Sequence, residues 1–228
     1  MQPNIGRESD FGLPTSTIAV AALTLCRSVS PPFIFNHCVR SYLFGRHVAT
    51  ANGLKPGADY DDELVFLACL LHDLGATEHA NGSQRFEVDG ADAAATFLTA
   101  GGLADDRIAT VWRAVALHTS DGICHRFGTV EAITQMGVGV DVFGRGREAI
   151  PEATADAVHA TWPRYDVGYT LAAAIVEQVE TNPAKASPLN FPGHLYNLHH
   201  PASPLPSYFD LVDAAGWNDR PAQAPNRS

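Results

Sequence analysis

Residues 62–77 read DELVFLACLLHDLGAT, and the run from Leu64 to Leu71 is apolar on every side of a helix. A helix without a polar face has no place on a surface, so this one is expected at the centre, with other helices packed around it. Its acidic entry, from Asp59 through Asp61, Asp62 and Glu63, complements the positive end of a helix dipole, and the apolar body leads to Gly75. On its last turn the run meets His72 and Asp73. Two such groups that deep are costly unless something pairs with them, and a dication is such a partner, since imidazole gives a lone pair and carboxylate gives charge. The plainer reading is a helix that ends in a solvated His-Asp pair.

Helical spacing continues on both sides of this stretch. A first helix opens at Pro14 and runs to Val29, where Pro31 and Pro32 stop it, and a second covers Phe33 to Asn52 with Gly53 as its left-handed cap. A fourth, from Glu87 to Ala100, places Ala91, Ala94, Ala95 and Leu98 on one face. A fifth repeats the spacing with Ile108, Val111, Trp112 and Val115, and its next inward position is His118. A sixth is expected over Thr129 to Phe143, although Gly137-Val138-Gly139-Val140 alternates as a short strand could. Further helices follow over Glu152 to Trp162, Val167 to Glu180 and Tyr208 to Ala215. Alternating β-branched residues are nearly absent, so the fold class is all-α. Texture changes near Thr181, which predicts a helical domain over residues 1–182. Residues 183–228 read as a proline-rich, mostly irregular extension, disordered past Trp217.

Composition narrows the function. The 228 residues are 46% hydrophobic, and 15 Lys+Arg against 25 Asp+Glu give a net charge of -10 with only Lys55 and Lys185 as lysines. Phosphate backbones need clustered cations, so nucleic acid is not an expected partner. The longest apolar run falls far short of the roughly 18 residues of a membrane span, so no membrane partner is expected either. Ile18 to Leu25 could pass for a signal-peptide core, but the acidic flank with Glu8 and Asp10 and the bulky Leu25 before Cys26 point to an internal helix. Four isolated cysteines without a CxxC pair read as reduced, buried thiols, and the expected location is cytoplasmic.

Two more residues share the chemistry of His72 and Asp73. His37, in FIFNHCVRSYLFG, lies on the second helix and shares a face with Arg40, Ser41 and Phe44. Asp141 continues the small or apolar stripe of Ile133, Gly137 and Val140, where a carboxylate needs a cation or several donors. Alone, His37 reads as a core histidine with one hydrogen bond. Together the residues form H…HD…D across three helices.

At this point the sequence resembles the HD-domain superfamily of metal-dependent hydrolases, and within it the cyanamide hydratase group. The similar stretches are FNHCVRSYLFG, ACLLHDLGAT, RFEVDGADAA, AVALHTSDG, VDVFG and WPRYD, in order from Pro31 to Asp166. The resemblance implies a helical core that binds one divalent ion through His37, His72, Asp73 and Asp141. Zinc is the expected ion, with iron, manganese and nickel also acceptable to such a set. His79 and His125, which a two-metal site would recruit beside His118, fall in loops. The implied reaction is attack by metal-activated water on a small-molecule substrate, cyanamide hydrated to urea, with Asp73 accepting the water proton and His118 donating one to nitrogen. Arg40, Phe44, Thr77 and Phe86 are expected to shape the pocket. The alternatives are hydrolysis of a nucleotide or other phosphomonoester, and a catalytically idle binding module. The proline-rich segment, which could embrace a neighbouring subunit, leaves a homo-oligomer open.

Overall fold

The computed structural model describes residues 8–220, and the expected disordered end therefore falls mostly outside the described residues. Among these, ten α-helices follow one another: α1 Thr17–Val29, α2 Pro32–Ala51, α3 Asp62–Leu71, α4 Phe86–Ala100, α5 Asp105–Leu117, α6 Thr129–Phe143, α7 Glu152–Thr161, α8 Val167–Thr181, α9 Phe191–His199 and α10 Tyr208–Ala214. No strand occurs among the described residues, and the one isolated bridge joins Pro56 and Tyr60. The fold is all-α. No described helix is long and apolar enough to cross a membrane.

Helix α3 is the hub. Every residue from Leu64 to Leu71 is buried, and α1, α2, α5 and α6 pack around it. The Asp61 side chain caps it by accepting from the Leu64 amide at 3.0 Å, as an acidic N-cap should. It ends at Leu71, earlier than the run to Gly75 suggests. His72 still has helical backbone angles, Asp73 leaves them, and a 3₁₀ turn follows over Leu74–Ala76. Gly75 is there for contact: a Cβ at that position would sit 1.8 Å from the carbonyl oxygen of Phe86. The absence of a side chain lets the His-Asp turn press against the first turn of α4.

The Gly137-Val138-Gly139-Val140 stretch is helical, and its glycines have the same kind of reason. Helices α2 and α6 form the most extensive helix pair, and a Cβ on Gly137 would lie 2.0 Å from the Ser41 carbonyl oxygen. Gly45 of α2 faces the same contact, where a Cβ would come 3.0 Å from the Ile133 carbonyl oxygen. Ser41 is one turn after His37, and Gly137 one turn before Asp141, so the close crossing brings those two side chains together. Gly137→Ala should therefore cost about 1–3 kcal/mol of stability through overpacking. Urea unfolding measures it, and an unchanged midpoint would mean that the helices can move apart freely.

The C-terminal extension departs from the irregular segment expected of its prolines. Pro192 sits in the first turn of α9, where a missing amide hydrogen costs nothing, and Asn190 caps that helix by accepting from the Gly193 amide at 2.8 Å. Proline content therefore concealed a helix start. Helix α9 packs on α8, with Phe191 and Leu195 against the core. The segment before it is held by Lys185, buried, whose Nζ lies 2.6 Å from Asp89 Oδ2 of α4 and 3.0 Å from the Gly82 carbonyl oxygen. Gln178 of α8 likewise donates to the Gly75 carbonyl at 2.9 Å, tying α8 to the His-Asp turn.

Candidate metal centre

Two helix ends and one helix face supply the site. His72 and Asp73 come from the turn after α3, His118 from the end of α5, and His37 from the second turn of α2. All four are buried, none more than 5% exposed.

The imidazoles are held in one orientation by oxygen acceptors on their Nδ1 side. His72 Nδ1 is 2.8 Å from the Cys69 carbonyl oxygen, His118 Nδ1 is 2.6 Å from that of Val115, and His37 Nδ1 is 2.7 Å from Asp141 Oδ2. A carbonyl or carboxylate oxygen only accepts, so each Nδ1 carries the hydrogen and each Nε2 presents a lone pair. These lone pairs meet around Asp73. His72 Nε2 is 3.1 Å from His37 Nε2 and 3.2 Å from Asp73 Oδ2, and His37 Nε2 is 3.6 Å from that same oxygen. His118 Nε2 lies 3.7 Å from Asp73 Oδ1.

Without a cation this arrangement is a set of buried acceptors facing one another. Both oxygens of Asp73 are buried and have no hydrogen-bond partner. One proton between two imidazoles would relieve a single contact, whereas a dication at the shared centre relieves them together. Atoms of His37, His72 and Asp73 lie within 4.8 Å of one another, a grouping that could hold a metal ion. The electrostatics agree. Burial alone would raise the Asp73 carboxyl, but His72, His37 and His118 hold it well below the usual carboxylate range. Burial would lower His72, but the Asp73 charge raises it, so the cluster draws positive charge to this spot. Burial, helped by His72, pushes His118 down to about 4, which keeps it neutral.

Asp141 occupies a different place from the one expected of a ligand. It stands behind His37, on the Nδ1 side, and its oxygens are taken up by cations. Arg40 donates to Oδ1 at 2.8 Å and to Oδ2 at 2.7 Å, and Arg164 donates to Oδ1 at 2.9 Å. Burial alone would raise this carboxyl, but the hydrogen bonds from His37 and Arg40 hold it far below its ordinary range. Asp141 thus orients His37, in the manner of a carboxylate behind a metal-binding histidine. Arg164, in the WPRYD stretch, is the partner that spacing could not assign, because it meets Asp141 through tertiary contact alone.

A cavity of about 950 Å³ opens over the four residues. Its floor is His37, His72, Asp73 and His118, its walls come from α6, α8 and α9, and Phe86 of α4 also lines it. Of the expected pocket residues only Phe86 is on that wall. Arg40 is wholly buried against Asp141 and donates to the Trp162 and Pro163 carbonyls, each at 3.0 Å. Phe44 lines a separate cavity of about 280 Å³ beside Asp141 and His159, and the Thr77 hydroxyl turns inward to the Leu74 carbonyl at 2.6 Å. Arg40 and Thr77 have their polar groups engaged within the protein, and Phe44 faces the other cavity. Helix α9, read as irregular, supplies wall residues that no motif announces.

His79 and His125 are exposed and stand outside the grouping, as do the histidines of the extension, where His200 pairs with Glu180 at 2.7 Å. Beside the floor, Thr119 donates to buried Glu87 at 2.6 Å, and Arg85 pairs with the same carboxylate. A search of curated proteins finds no match. The family described as HD domain matches residues 34–153, which includes His37, the His72-Asp73 pair, His118 and Asp141. With just over half of its length matched, on the segment that builds this centre, the chain belongs to the HD-domain family.

Proposed function

We propose that the protein is a metal-dependent hydratase or hydrolase that holds one divalent cation on His37, His72 and Asp73 and adds water to a small uncharged electrophile. Zinc is the leading choice of ion, ahead of iron, manganese and nickel, and cyanamide hydrated to urea is the leading reaction. The observation that carries this reading is the convergence of two imidazoles on the unpartnered, buried carboxylate of Asp73, on the floor of a cavity whose one lysine or arginine among the described residues is paired. Members of the HD-domain family are in general metal-dependent hydrolases. A divalent ion, when bound, supplies a Lewis acid and makes water acidic enough to react at neutral pH.

The residues of the chain do the rest. Asp73 and the two imidazoles fix the ion with neutral and anionic donors. His118 Nε2, a lone-pair atom, accepts a proton from the attacking water, while its Nδ1–H stays on Val115. As oxygen bonds to the nitrile carbon, the nitrogen gains negative charge, and His118 returns that proton to it. His118 can thus donate only after it has accepted, which refines its expected role as the donor.

Phosphoester hydrolysis needs Arg or Lys at the phosphate oxygens. Among the described residues the one lysine or arginine lining the cavity is Arg145, exposed at the mouth and paired with Asp121 at 2.7 Å. That favours a neutral substrate. The test is metal analysis of the purified protein, then assays for urea from cyanamide and for phosphate from a phosphomonoester, before and after chelation. Roughly one equivalent of metal, with urea formation lost on chelation and restored by zinc, is expected. Phosphate release without urea would reassign the reaction, and absence of stoichiometric metal would overturn the site.

A further inference from the structure

The proposed reaction engages only the residues of the cavity floor, yet the cavity measures about 950 Å³. That is the size of a site for a ligand of drug-like dimensions, and cyanamide would leave most of it to water. Its walls are apolar: Met136 and Val142 come from α6, Leu171 and Ile175 from α8, Phe191 and Leu195 from α9. Of the polar groups among them, Gln135, Thr119, Asp121 and Arg145 have partners within the chain, and His194 of α9 is exposed. Gln135 donates its amide to the Ser120 carbonyl at 2.8 Å, and the Thr119 hydroxyl is committed to Glu87.

We infer that the site selects neutral cyanamides or nitriles whose far end carries an extended apolar body, an alkyl or aryl chain, with cyanamide itself the shortest member of the class, and that α8 and α9 select for that body. The inference rests on the hydratase or hydrolase reading for the reacting group, and on the walls alone for the body. Each methylene moved from water to such walls strengthens binding about fourfold. The chain would lie between α6, α8 and α9 with its reactive end at His118 and Asp73. Leu195 and Ala172, both on the cavity wall, are then specificity-determining residues.

The experiment uses the full-length, metal-loaded protein and a series of N-alkylcyanamides from methyl to hexyl. Turnover is followed as kcat/KM, and binding separately by calorimetry with the n-alkyl nitriles of the same lengths. The expected result is a rise of about fourfold per methylene in both, until the walls are filled. Leu195→Trp and, as a second variant should the first misfold, Ala172→Phe should lower the hexyl-to-methyl ratio of kcat/KM at least about tenfold. Turnover of the series with no dependence on chain length would overturn the inference and leave the hydratase reading standing. Binding that grows with chain length without turnover would do the reverse, keeping the apolar-bodied ligand and removing the reaction. Long chains that bind equally well to both variants would move the ligand off this wall.

Discussion

Asp141→Ala should lower stability by about 3–5 kcal/mol and weaken divalent-metal affinity by about 10–100-fold, without abolishing stoichiometric binding at saturating metal. The stability loss comes from Arg40, which is wholly buried and donates two hydrogen bonds to this one carboxylate. Removing the carboxylate leaves a guanidinium in the core with only the Trp162 and Pro163 carbonyls for company. The affinity loss comes from His37, whose Nδ1–H loses its acceptor and whose ring is then free to turn. Denaturant unfolding of the metal-free protein isolates the first effect, and metal titration the second. Complete loss of metal at saturation would make Asp141 a ligand after all, against the geometry that puts it behind the imidazole.

His118→Ala should retain the metal and lose about 10²–10⁴-fold in turnover, the usual contribution of a positioned proton-transfer group. The ion would keep His37, His72 and Asp73, which form the compact grouping. What disappears is the Nε2 acceptor 3.7 Å from Asp73 Oδ1. Metal content measured beside kcat separates the outcomes. An unchanged rate would remove His118 from the reaction, and coincident loss of metal would count it among the ligands.

Most of the helices were legible because they bury a stripe at helical spacing, or in α3 every face, and α6 is helical over the span expected of it, Thr129–Phe143. Its glycines misled only locally, since a close helix crossing and a bent strand ask for the same small residue. His72 and Asp73 stood out because a polar pair at the end of an all-apolar helix needs either solvent or a partner, and their burial in the structure removes the solvated reading. The environment of Asp141 was not legible. Spacing showed that it points inward, but nothing in a linear sequence says that Arg40 and Arg164 lie beside it. Helix α9 was hidden for a different reason. Proline within a first turn looks the same in sequence as proline in a loop, and only the cap at Asn190 marks the difference.

The segment that the HD-domain family matches ends at residue 153, whereas α8 begins at Val167 and α9 at Phe191. Membership in the family therefore speaks for the floor of the cavity and is silent on two of its walls. On the reading proposed above, the reaction rests on the matched segment and much of the selectivity on the stretch after it, the two joined by Lys185 on Asp89 and by Gln178 on the Gly75 carbonyl. A protein of this plan can change its diet by redrafting its last third while its chemistry stays as it was.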